Sequence, residues 1–247
     1  MNSRLRITGV VMLIVGLVGL GAAGYAYLQV RDGQAALEGF SEAQNVTLAY
    51  NDEGELIDRG SVEEAQAILA LLEDEWKWPV SEGDLNPDDP VTNTGTEYMF
   101  QMATIAHHTL TGTQTVVLTE TVEWDGDGDG STAGAPVYAP GEWDPSTSGE
   151  DAIFQPGVYQ VPVAGRYWTG FNRTHPLDGP AREQAWAGTV HGLFAELGVG
   201  ATTHSSLQLA QGVALVTALM GVGFLIVGAG LLWAGIAKEP EKGSTTA

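Results

Sequence analysis

Two uncharged runs frame the chain. The first, Ile7 to Val30, holds 24 residues without a charge, and at 1.5 Å per residue it makes a helix of about 36 Å against roughly 30 Å of bilayer hydrocarbon. The second extends from Leu207 to Ala237. Its most apolar part begins near Gly212, after Gln208 and Gln211, and it is also long enough to span with some tilt. A soluble helix of this length keeps a polar face, and neither run has one. The basic "MNSRLR" and the small residues of "GAAGYA" also fit a secretory signal, but the apolar run is longer than the about 7–15 residues of a signal core. An uncleaved anchor is therefore expected.

Between the runs the pattern shortens. Ala35, Leu37 and Phe40 keep helical spacing just past the first run, so that helix is expected to continue outward. "NVTLAYNDEGELIDRG" alternates around an Asn-Asp-Glu-Gly turn and predicts a hairpin. Ser61 with Glu64 forms a capping box that opens a helix burying Val62, Ala65, Ile68, Leu69 and Leu72. Thr94 with Glu97 forms a second box, opening a helix with Met99, Met102, Ala106 and Leu110 on one face. "TQTVVLTETVEW" and "VYQVPV" read as strands by their β-branched content. A last helix is predicted from Pro180 to Leu197, capped by Asp178, burying Trp186, Val190, Leu193, Phe194 and Leu197, and stopped by Gly198 and Gly200. Thr202 to Ser206 are then a joint into the second run.

Charge assigns the sides. Two spans put both tails on one side, and Arg4, Arg6, Lys238 and Lys242 in those short tails make that side cytoplasmic. Tyr25, Tyr27 and Trp233 fit the interfacial aromatic belts. Residues 31–205 hold 29 Asp and Glu against six Lys and Arg, a net charge of −23. Such a domain repels nucleic acid and attracts cations or basic protein surfaces. The excess lies in 31–151, whereas 152–205 is balanced and aromatic, with Tyr159, Tyr167, Trp168 and Trp186 among its rings. The chain has no cysteine, which excludes disulfides, thiolate metal sites and cysteine nucleophiles. The sequons at Asn45 and Asn172 carry weight only in a glycosylating host.

Small residues recur every seven positions: Gly9, Gly16 and Ala23 in the first run, and Ala214, Gly221, Gly228 and Gly235 in the second. A 3.5-residue period keeps such a seam facing a partner helix at close range. Leu225 falls off this seam. "GLGAAG" at Gly19, Gly21 and Gly24 matches a dinucleotide fingerprint in letters only, because that fingerprint requires a soluble strand-turn-helix unit. Of the five histidines, His107 and His108 are adjacent. Neighbours on a helix point about 100° apart, so the pair is not expected to share a metal, and surface or capping roles are expected for the set. As an enzyme, the chain would be searched first at His107 or His108 beside Glu97 and Gln101.

The strongest ligand pattern is "VEWDGDGDGSTAG". Asp125, Asp127, Asp129 and Gly130 match the first half of a calcium loop, where alternate carboxylates face one cation. The second half departs from it, because Pro136 stands where an EF-hand places its bidentate Glu. Glu123, Glu142 or Asp144 would have to close the shell.

The stretches "MNSRLRITGVVMLIVGLVGLGA", "EAQNVTLAYNDEGELIDRG", "AILALLEDEWKWPV" and "NTGTEYMFQMATIAHHTLTGTQTVVL" resemble a group of actinobacterial two-span membrane proteins with an acidic external domain. Some members of that group carry an aromatic ring-opening dioxygenase label. The iron-binding set of histidines and carboxylate that the label implies is not recognisable here. The resulting expectation is an integral membrane protein: a cytoplasmic tail at 1–6, a helix at 7–30, an acidic extracytoplasmic α+β domain at 31–206, a second antiparallel helix at 207–237 and a tail at 238–247. Its expected role is non-enzymatic, as an accessory, scaffold or envelope-sensing protein that engages the membrane and another membrane or envelope protein, but no nucleic acid. No catalytic or cofactor-binding residue is assigned. The alternatives are an extracytoplasmic enzyme with a scattered site and a calcium-binding module using Asp125, Asp127 and Asp129.

Overall fold

A computed structural model describes residues 2–167 and 170–236. In chain order its elements are α1 Asn2–Gln44, β1 Ala49–Tyr50, β2 Leu56–Ile57, α2 Val62–Ala70, α3 Gly95–Leu110, β3 Thr113–Leu118, β4 Val122–Trp124, β5 Val137–Tyr138, β6 Ala152–Phe154, β7 Gly157–Pro162, α4 Asp178–Ala185 and α5 Gly188–Ile236. They fall into two units: the described residues up to Ala43 with those from Thr203 on, and Gln44–Thr202. Lys238, Lys242 and Trp168, singled out above, lie outside the described residues.

The first unit pairs α1 with the later part of α5. Both helices are long and apolar enough to cross a membrane. They run antiparallel, because Gly9 meets Gly228 while Gly16 meets Gly221. A Cβ on Gly9 would stand 2.8 Å from the Gly228 carbonyl, and one on Gly16 would stand 2.7 Å from the Gly221 carbonyl. Burial repeats every seven residues at Gly9, Gly16, Ala23 and Val30, and at Ala214, Gly221, Gly228 and Gly235. Leucines close the gaps beside the glycines. Leu13 and Leu20 lie over Gly228 and Gly221, and Leu232 and Leu225 lie over Gly9 and Gly16. Leu225 thus belongs to the seam, because a small residue on one helix makes a hole that the neighbouring large residue of the other must fill. Arg6 Nε donates to the Gly235 carbonyl at 2.7 Å, satisfying an acceptor of the last turn of α5 that has no partner within its own helix. The outward faces are apolar and bare: Leu17, Leu209, Ile226 and Trp233 are each more than 60% exposed.

The second unit is α+β. Ala65, Ile68 and Leu72 pack against α3, which buries Phe100, Ala103 and Ala106. Both caps form at Thr94, whose side chain takes the Glu97 N–H while the Glu97 carboxylate takes the Thr94 N–H. β1 and β2 make the expected hairpin, with Ala49 opposite Ile57. β3 pairs antiparallel with β7 along its whole length, from Thr113 opposite Pro162 to Leu118 opposite Gly157. β6 lies between β4, antiparallel to it, and β5, parallel to it. The predicted strand "TQTVVLTETVEW" is therefore two strands in two sheets, divided by a bend at 119–120. Val116, Phe154, Val161 and Val163 share one core with Leu177, Ala181 and Ala185.

The last predicted helix differs in both its boundaries. It breaks at Trp186 and Ala187, and α5 then runs without interruption through Gly198 and Gly200 to Ile236. Each glycine costs about 1 kcal/mol against alanine in a helix, which packing readily offsets. A Cβ on Gly200 would stand 2.6 Å from the Tyr98 ring, so Gly200 makes room for that ring and does not stop the helix.

The seam predicts a contrast. Gly16→Leu, which drives a side chain into the Gly221 carbonyl, is expected to cost about 1–3 kcal/mol as overpacking does, read as a lower melting temperature in mild detergent. Ile226→Ala, on the bare face, is expected to change it little. Equal shifts from the two would show that the glycine contact does not hold the pair.

Candidate functional site

The acidic loop leaves the end of β4. Asp125 takes the N–H of Gly128 at 2.7 Å on one oxygen and that of Gly130 at 2.8 Å on the other. Asp127 takes the N–H of Asp129, and Asp129 that of Ser131. Gly128 and Gly130 have φ of +77° and +87°, a region that residues with a side chain rarely enter. The three carboxylates converge, with one oxygen of each within 4.8 Å of the others. An open cavity of about 750 Å³ adjoins them, lined by Glu123, Asp125, Thr132 and Ile153 among others. Of the three residues suggested to close a shell, Glu123 lines this cavity. Glu142 instead takes the Ala139 N–H and Asp144 the Ser146 N–H. Asp151, which the sequence did not single out, takes the N–H of Gly126 at 2.9 Å.

A second cluster joins three elements. Asp58 and Ser61 exchange backbone hydrogen bonds across Arg59 and Gly60, whose φ values of +48° and +84° define a tight mirror-image turn. α2 follows at once. Ser61 Oγ accepts from the Glu64 N–H, but the Glu64 carboxylate does not return to Ser61. It lies 3.1 Å from His107 Nε2, while Asp58 Oδ2 lies 2.6 Å from His108 Nε2. The imidazoles meet edge to face at 5.1 Å. Glu64, His107 and His108 each bring a ligating atom within 4.8 Å of the others, contrary to the expectation from the 100° helical offset. The offset fixes only the Cβ directions, and the two rings, reaching from the last turn of α3 to neighbouring carboxylates, come together edge to face. Glu97 and Gln101 are not their partners. Glu97 is buried in its own cap, where the Asn93 and Thr94 N–H groups bond it, and Gln101 donates to the Thr47 carbonyl. No spacing in the sequence links Asp58 and Glu64 to histidines 50 and 43 positions later.

No family model, curated protein or solved structure matches the chain. The chemistry of these clusters therefore rests on their own geometry.

Buried His175 and Asp178 hold the start of α4. His175, 1% exposed, accepts the N–H of Leu177 and of Asp178 on Nδ1 and so caps α4. It is stacked on Trp143 at 4.7 Å and edged by Trp124 and Phe154. Asp178, predicted as the cap, is instead the first helical residue, paired with Arg166 and accepting the Asn172 N–H. Burial lowers the His175 imidazole to about 4, with Asp178 opposing and Arg166 adding to the shift. Below pH 6.5 the unfolded chain takes up a proton that the folded domain refuses until about pH 4, so this residue makes stability fall as pH falls, by about 3 kcal/mol across the window. Burial raises the Glu97 carboxyl, which titrates in the opposite sense. The two are separated by substitution. His175→Asn keeps an acceptor near the Nδ1 position, and is expected to lower stability at neutral pH while removing this loss between pH 6.5 and 4. Thermal unfolding of the full chain in detergent over that range checks it, and an unchanged pH slope in the variant would refute it.

Proposed function

We propose that the protein is anchored in a membrane by α1 and the apolar part of α5, with both chain ends cytoplasmic, and that Gln44–Thr202 acts outside as an acidic docking domain for another membrane or envelope protein. It holds a surface in place and catalyses no reaction. The observation that carries the anchoring is the bare apolar face of the helix pair, closed only along its small-residue seam. Water does not tolerate an apolar surface of this extent, and lipid covers it. Arg4, Arg6, Lys238 and Lys242 supply the orientation.

The docking role draws on how the acids are displayed. Asn51 Oδ1 takes the N–H of Glu53 and of Glu55, and Asn86 Oδ1 takes that of Asp88. Gly54 sits beside Pro87, so the two Asn-braced turns adjoin and expose Asp52, Glu53, Asp88 and Asp89 together. A basic protein surface is the matching partner.

Native membranes solubilised in mild detergent are expected to yield the chain with a second protein, in an association that weakens with salt, because exposed charges are screened beyond about 8 Å at physiological ionic strength. Lysine at Asp52, Asp88 and Asp89 together is expected to mimic high salt without unfolding the domain. Recovery of a lone chain at low salt would refute the docking role. Protease added to protoplasts is expected to spare a C-terminal tag while cutting the central domain, and a cut tag would refute the orientation. Turnover of a small substrate lost in His108→Ala would favour an enzyme instead.

A second reading, a calcium module, draws on the convergence of Asp125, Asp127 and Asp129. Their mutual repulsion is relieved by a cation, so millimolar calcium is expected to raise the melting temperature of wild type but not of Asp127→Ala. No shift in wild type would leave the stretch a self-bonded loop.

A further inference from the structure

We propose that Glu64, His107 and His108 form a binding site for a divalent late transition ion, zinc by its donor set, with Asp58 as a further carboxylate at the His108 ring. This site is distinct from the acidic loop and goes beyond the docking role. Two imidazole nitrogens and a carboxylate oxygen are the ligands zinc takes in open, water-accessible sites, whereas calcium and magnesium take oxygen alone. Two ligands on one tetrahedral zinc, each about 2.05 Å from the ion, stand roughly 3.3 Å apart. Glu64 Oε2 and His107 Nε2 stand 3.1 Å apart, and the whole triad fits within 4.8 Å, so closure on an ion requires side-chain rotation and no movement of helices.

The backbone beneath the triad is fixed. Glu64 sits in the first turn of α2 under the Ser61 cap, the histidines sit in the last turn of α3, and the two helices bury Ala65, Ile68, Ala103 and Ala106. Asp58 is set by the tight turn immediately before α2, and its 2.6 Å contact restrains the His108 ring. Carboxylates that hold a ligating imidazole are a recurrent part of such sites. Among the described residues neither Asp58 nor Glu64 pairs with a lysine or arginine, and their ion-pair partners are the histidines of the cluster, so no fixed cation competes with an ion for these carboxylates. An ion can also reach them. The side chains of Glu64 and His107 are 48% and 27% exposed, and a cavity of about 420 Å³ beside His107 is lined by Asp74 and Glu75, whose charge draws cations inward.

The test uses the full chain in detergent, stripped with chelator and titrated with zinc chloride by calorimetry. Wild type is expected to bind one zinc at this site with micromolar or tighter affinity, and cobalt(II) in its place is expected to give the visible absorption of a tetrahedral ion. The double variant His107→Ala and His108→Ala is expected to lose the cobalt spectrum and at least 100-fold in zinc affinity. Glu64→Gln, which preserves shape, and Asp58→Asn are each expected to weaken binding about tenfold or more. Asp127→Ala is expected to leave it unchanged. Melting temperatures in chelator separate lost binding from lost folding. Absence of zinc uptake by wild type at micromolar concentration would overturn the proposal, as would equal zinc affinity in the double variant, or a loss of affinity in Asp127→Ala equal to that in Glu64→Gln.

Discussion

The helix pair depends on the approach of two backbones at Gly9 with Gly228 and Gly16 with Gly221. Carbonyl oxygens there occupy the space a Cβ would need, so no other residue type fits without parting the helices. In a bilayer, where lipid gives helices no hydrophobic drive to associate, such a contact would have to come from shape. Leu13, Leu20, Leu225 and Leu232 are the other half of the same shape, each filling space beside a glycine of the opposite helix.

The second unit solves a different problem. It carries most of the acidic excess and has no cysteine, so its stability rests on packing and on hydrogen bonds to buried groups such as Glu97, His175 and Asp178. Glu97 and Asp178 both sit within one residue turn of a helix start, where unpaired N–H groups favour a carboxylate. His175 performs a capping task without any charge, because its Nδ1 is committed as an acceptor. The exposed acids are braced instead by short loops of their own making, at Asn51, Asn86 and Asp125.

Local patterns in the sequence were the legible part. The two apolar runs, the seven-residue recurrence of small residues, the hairpin at Tyr50 and Ile57 and the Thr94–Glu97 box all follow from spacing within one segment. Features made by distant residues were not. Gly200 reads as a stop until Tyr98 is seen against it, and Leu225 reads as a bystander until Gly16 is placed beneath it. The Glu64 carboxylate matched a capping box, yet His107 wins it, a competition invisible from one segment. The acidic loop was legible as a cluster because the bonds of Asp125, Asp127 and Asp129 close within five residues, whereas Asp151, which reaches it from 25 positions on, was not. The histidine cluster was not, since its carboxylates arrive from a turn and a helix start far upstream.

One property of the seam follows from its regularity. A pattern that repeats every seven residues cannot distinguish one alignment from another displaced by a whole repeat, since glycine would again face glycine after a slip of about 10.5 Å. What breaks this degeneracy must be aperiodic and lie near the ends. Arg6 on the Gly235 carbonyl and Gly33 under Leu207 are contacts of that kind. The middle of the pair sets how close the helices come, and its ends set which of the equivalent alignments they adopt.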